Sequence, residues 1–289
     1  MEINKRSSII FVAVSILVLV VLFIFMPTVL LQVPNISPEA YLDSIPYMYL
    51  FNSNMILIVP SSTFFILVLG LQTVVLGLSF LKNKKYETHL WWGLAMVFWG
   101  IGALLAGTSY QGFGYQLKCS NYDLCLYTSW FELAYYYFTA VSMSCLGIAV
   151  AKTVLPKEKQ TFLIMYSKIA LILYIVLQIL GVIINNRFLL SYELFTIFFM
   201  PLYLIFFFYN VKLYRKQKDP LNKTLIITWL LFLVVNASYY IYFFLGIGES
   251  LYETTNIWFS ANDVLHVALI LWMLFLQFKV KKEIPLSNK

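Results

Sequence analysis

Apolar residues in this chain arrive in long runs, separated by short polar stretches. Eight runs are long enough to be spans, at about 9–31, 55–81, 91–115, 127–151, 161–184, 188–211, 224–247 and 257–278. Roughly 20 apolar residues in a helix cross a hydrocarbon core about 30 Å thick. A helix satisfies its own backbone hydrogen bonds, which lipid cannot do. A membrane β-barrel would instead show segments of about ten alternating residues, and the chain shows none. The predicted fold class is all-α, a polytopic integral membrane helix bundle of about eight transmembrane helices. Residues 1–289 are expected to form a single transmembrane domain.

Composition agrees with the pattern. Of 289 residues, 61% are hydrophobic and 11% charged, against the roughly 25% charged residues of a soluble domain. The first run follows Lys5 and Arg6 as a signal peptide would. It is too long for such a peptide and lacks a small-residue cleavage site, so it is read as a retained anchor.

Charge gives the orientation. Basic residues cluster before the first run and in alternate loops: Lys82, Lys84 and Lys85; Lys152, Lys157 and Lys159; Lys212, Arg215, Lys216, Lys218 and Lys223; and the tail from Lys279. The intervening loops are poor in Lys and Arg, with only Lys118 and Arg187. The positive-inside rule places both termini in the cytoplasm of a cell-membrane protein. The net charge of +7 is thereby explained by topology, and no nucleic-acid partner is expected. The expected partner is the lipid bilayer, with a lipid or small-molecule ligand as a further possibility. The oligomeric state is not readable.

Cys119 and Cys125 stand in KCSNYDLC, in a loop that the charges place outside. That side permits a disulfide. Two thiols with no nearby histidine make a poor metal site, and no metal is assigned. Cys145 falls inside a span, as a small core residue. The stretch between the first two runs, ISPEAYLDSIPYMYLFNSN, is read as a short interfacial helix or an ordered loop.

Ionisable residues inside a span are costly unless paired or facing a cavity. Glu132, Asp263 and His266 fall in the outer parts of their spans, and Lys168 lies near the cytoplasmic side, where its stem can snorkel. Asp263 and His266 are three apart, on one helical face. Taking the span from residue 257, they lie about 9 and 13 Å deep, and Glu132 about 7 Å deep. Ser109, Tyr110, Gln111, Tyr135, Asn236, Tyr239 and Asn262 add polar groups to the same outer half. The expectation is one outward-facing polar pocket lined by Glu132, Asp263 and His266.

Two chemistries suit such a pocket. In a hydrolase or transferase on a lipid or lipid-linked substrate, His266 oriented by Asp263 is the general base, Ser109 the nucleophile and Glu132 the general acid. Tyr110, Gln111, Tyr135, Asn236, Tyr239 and Asn262 then bind substrate. A metal held by Glu132, Asp263 and His266 is a variant of this scheme. In a proton-coupled transporter or ligand sensor, the same groups carry protons or ligand and no bond breaks. A non-catalytic scaffold is the third reading. Asn262-x-x-x-His266 beside Asp263 is similar to the HxxxH pair in the last helix of seven-span membrane hydrolases. Asn262 stands where the first histidine would be, and two histidines cannot build a three-histidine zinc site. No membership and no cofactor follow from that likeness.

Overall fold

The structure, a computed structural model, describes residues 36–51 and 55–286. The predicted span at 9–31 lies outside these residues. The chain enters through a short helix, α1 (Pro38–Asp43), capped by the Ser37 hydroxyl. An antiparallel hairpin follows, β1 (Tyr47–Leu50) and β2 (Met55–Ile58), pairing Tyr47 with Ile58 and Leu50 with Met55.

Among the described residues, seven helices are long and apolar enough to cross a membrane. They are α2 (Pro60–Leu81); α3 (Glu87–Ala106), extended by a π-helical turn at Gly107–Gly112; α5 (Trp130–Val154); α6 (Lys157–Ile183); α7 (Tyr192–Gln217); α8 (Pro220–Phe244); and α10 (Ala261–Phe275), which continues through Leu276–Val280 to Glu283. Among the described residues, two short α-helices lie between spans, α4 (Gly114–Lys118) and α9 (Ile247–Thr255), with a 3-10 turn at Phe188–Leu190 between α6 and α7. Pro60 and Pro220 sit in the first turns of α2 and α8, where a missing N–H costs nothing. Gly246 turns into α9 with φ +59°.

Two expectations are corrected. Met55–Ile58 is a strand rather than the first turns of a span, so the fold is mostly helical instead of all-α. Hydropathy merged the two because the strand and the helix form one apolar run. Val59 makes the corner between them with φ 37°, a left-handed conformation that is unusual and strained for a β-branched residue. The last span begins at Ala261, four residues later than predicted, because Trp258 and Phe259 lie outside the helix, before its Ser260 cap.

Helix α5 is the hub. Of its apolar stretch 83% is buried, against 22% for α8 at the periphery. One large apolar cluster runs through all the spans. Helices α2 and α3 approach closely along a glycine seam. A methyl on Gly77 would meet the Val97 amide nitrogen at 2.6 Å, and one on Gly100 would meet the Gly70 carbonyl oxygen at 2.6 Å. Small residues at such crossings let backbones pack directly.

Helices α2 and α10 are parallel neighbours. Ser62 bonds to Ser260 at 3.1 Å, and Gln72 donates to the Ile270 carbonyl at 3.2 Å, the same offset of residues at both levels. Contacts at the ends divide the molecule. At one end Lys152 pairs with Glu87 at 2.8 Å, and the Lys281 ammonium stands 5.8 Å from the Phe80 ring centre. This is the end that carries the lysine-rich loops. The hairpin, α1, α4 and α9 lie at the other.

Candidate functional site

Two acids sit at the first turns of their helices for the same local reason. Ser129 and Ser260 are N-caps in extended conformation, and Glu132 and Asp263 are the third residues of α5 and α10. Each acid accepts from the backbone N–H of its serine, while each serine hydroxyl accepts from the backbone N–H of its acid. These are reciprocal capping boxes, which satisfy exposed amide donors and place a negative charge at a positive helix end. Both acids therefore lie about 4–5 Å into their helices. That is shallower than the sequence suggested.

Around Glu132 the network is complete. Its Oε1 accepts from the Lys118 ammonium at 2.7 Å and from the Ser109 hydroxyl at 3.1 Å. Ser109 and Ser129 share a bond of 2.6 Å. Each hydroxyl has one proton, and that of Ser109 goes to Glu132. The Ser129 hydroxyl is thus the donor to Ser109. Glu132 is 1% exposed and Ser109 fully buried. The π turn supplies the extra residue that swings Ser109 toward α5.

Lys118 ends α4 and is followed at once by the disulfide Cys119–Cys125, which has its Cα atoms 4.3 Å apart. The Cys125 N–H donates to the Ile36 carbonyl, and Leu126 N–H to that of Lys118. The predicted disulfide is present. Burial works against the charge on Lys118, but the Glu132 carboxylate, aided by Tyr41, outweighs it and holds the ammonium above the ordinary lysine range. The Lys118 ammonium also stands 5.4 Å from the Tyr110 ring centre, and Tyr110 donates to the Tyr136 hydroxyl at 2.8 Å.

Around Asp263 the network is incomplete. Its Oδ2 takes the Ser260 hydroxyl at 2.8 Å, and that hydroxyl in turn meets Ser62. Asp263 is fully buried, yet its Oδ1 has no partner among the described residues. One turn deeper, His266 is 5% exposed and its Nδ1 is likewise without a partner, as is the buried Ser61 hydroxyl on α2.

The remaining predicted residues are scattered. Gln111 is buried. Tyr135 stacks obliquely against Tyr136 with ring centres 4.9 Å apart. Asn236 donates to the Phe232 carbonyl of its own helix, and Tyr239 stacks on Phe243. Asn262 is exposed. The structure joins Ser109 to Glu132 and leaves Asp263 and His266 as a separate group. No cluster of three metal-ligating side chains exists among the described residues, so Glu132, Asp263 and His266 do not assemble a metal site.

Sequence reasoning missed Lys118, Ser129 and Ser260. The two serines carry a legible signal, Ser-x-x-acid before an apolar run. Lys118 carries none, because a folded loop brings it to Glu132. Two clefts are apolar. One lies between α6 and α7 around Phe162, Tyr166 and Phe198. The other lies at mid-bundle, where Trp99, Tyr203, Phe206, Trp229, Phe232 and Trp272 converge.

No curated protein and no solved structure matches this chain. Residues 62–284, from the first turn of α2 to the end of the last helix, match a family model, and the chain belongs to that family, the family of unknown function DUF6962.

Proposed function

We propose that the protein is a proton-coupled carrier of the cell membrane, receiving proton and ligand between the outer ends of α2 and α10. The observation that carries this reading is the pair Asp263 Oδ1 and His266 Nδ1, both buried, one helical turn apart and unpartnered among the described residues. A carboxylate and an imidazole held so in a membrane helix are suited to bind and release a proton. Ser61, with its own open hydroxyl, adds a ligand contact from the neighbouring helix.

The orientation follows from charge. The lysine-rich end belongs in the cytoplasm, and the disulfide end then faces the oxidising side. With the predicted span at 9–31 counted, the charge rule puts both termini in the cytoplasm. The hydrolytic alternative has less support. Ser109 is committed to Ser129 and Glu132, and the Glu132 carboxylate is neutralised by Lys118.

The test is a pH-gradient assay in proteoliposomes, challenged in turn with panels of amino acids, polyamines, sugars and polyols. At least one class should dissipate the gradient, and Asp263→Asn should slow this at least tenfold with normal reconstitution. If no panel member moves protons, or Asp263→Asn works at the wild-type rate, the carrier reading fails. Ligand-induced thermal stabilisation without proton movement would identify a sensor instead.

A further inference from the structure

The cytoplasmic half of the bundle holds a second group of unsatisfied polar atoms. Asn210, on α7, is fully buried, and neither its Nδ2 nor its Oδ1 has a partner among the described residues. Asn222, on α8, is 4% exposed; its Nδ2 donates to Asp219 at 2.7 Å, and its Oδ1 has no partner among them.

Register brings the two together. Tyr203 on α7 donates to the Trp229 carbonyl on α8 at 2.7 Å, and their rings meet edge to face with centres 5.8 Å apart. The helices are antiparallel. Seven residues on from Tyr203 is Asn210, and seven residues back from Trp229 is Asn222. Seven residues is almost two full turns, so each asparagine repeats the face of its contact residue. The two therefore stand opposite each other about 10 Å further toward the lysine-rich end.

An unsatisfied buried amide costs a few kcal/mol, unlike an apolar residue of the same size. Two facing asparagines share this exposure to cost, and they carry both kinds of hydrogen-bonding atom. Nδ2 of Asn210 donates, and the two Oδ1 atoms accept. An anion would want donors only, and a cation acceptors only. A hydroxyl or a neutral amide both donates and accepts, and it fits this set.

We infer that Asn210 and Asn222 form an inner binding station for a small neutral molecule rich in hydroxyl or amide groups. This rests on the carrier reading only for its place on a route, because binding at the station is measured without transport. The mid-bundle cleft lies between the two stations. It is lined by aromatic rings, and Trp229 contributes a buried indole N–H with no partner among the described residues. Below the asparagines, Asp219 is the N-cap residue of α8 at the lysine-rich end and accepts from the Asn222 amide.

The experiment uses the full chain with Cys145→Ala, which leaves only the bonded Cys119 and Cys125. Asn210→Cys and Asn222→Cys are introduced singly and treated with a small methanethiosulfonate reagent in oriented vesicles. Both should react from the lysine-rich side, and 100 mM-scale glycerol or acetamide should slow the reaction at least threefold. Absence of reaction, or reaction without protection by either probe, overturns the station.

Wild-type protein gives an independent check by hydroxyl-radical footprinting. Phe206, one turn from Asn210, should be oxidised well above the comparably buried Phe199 of the same helix if the station is hydrated; equal protection overturns it. Protection at the asparagines with no proton movement would leave the station standing and remove the proton coupling. Proton movement without protection would do the reverse.

Discussion

Lys118 and Glu132 are separated by fourteen positions and a disulfide-bonded loop, yet they meet at 2.7 Å in a buried setting. Removing one partner of such a pair strands the other, which typically costs about 3–5 kcal/mol, whereas replacing both can be neutral. Lys118→Met should therefore lower thermal stability in detergent sharply. Lys118→Met with Glu132→Gln should recover most of the loss in a double-mutant cycle. The same unfolding series gives a pH signature. The lysine is held above its ordinary value, so its contribution is fully present below the ordinary lysine range near pH 10.4 and is lost as pH rises through the raised value. Wild-type stability from this pair should stay flat through neutrality and fall only in strong alkali; a fall between pH 6 and 8 would contradict the assignment. Little of this was legible beforehand. Glu132 stood out as an acid in a span, and its serine cap was written three residues ahead. Its cationic partner could not be found, because spacing along the chain says nothing of how a looped segment folds back.

At the scale of elements, the span cores were readable and their outer ends were not. Hydropathy locates α2, α6 and α8 well, because lipid imposes one long apolar run on each. It fails at Met55–Ile58, where a hairpin strand of the same composition abuts a helix. It fails again at the start of α10, where aromatic residues suited to the head-group layer extend the apolar signal past the helix cap. The helix pairing carries its own prediction. Gly77 faces the Val97 backbone with no room for a larger side chain. Gly77→Leu should separate α2 from α3 and cost several kcal/mol or abolish detergent-stable protein, as judged by size-exclusion monodispersity. Leu78→Ala, on the exposed face of the same helix, should change little.

At the scale of the molecule, the two ends differ in kind. One end carries the alternating basic loops. The other carries a disulfide, a hairpin and three short helices. Single cysteines at Lys84 and at Tyr252, in a Cys145→Ala background, should be labelled by an impermeant maleimide from opposite sides of right-side-out cells. Tyr252 should react without permeabilisation and Lys84 only after it. Labelling of both from one face would break the proposed topology. The loop charges alone supplied this division. The separation of the polar groups into a closed ionic network and an open Asp263–His266 pair was not available from depth along the chain. It depends on which helix touches which, and α10 packs beside α2 and α8 rather than against α5.

Asp263 has one consequence that reaches past its own helix. The carboxylate whose Oδ1 has no partner among the described residues is also the group that caps the first turn of α10. A carboxylate that gains a proton is a poorer acceptor for the Ser260 amide and no longer complements the positive end of the helix. The charge state of one side chain and the length of the last helix are therefore not independent variables. Neutralising Asp263, as Asp263→Asn does, should loosen the first turn of α10 against α2 at the Ser62–Ser260 contact.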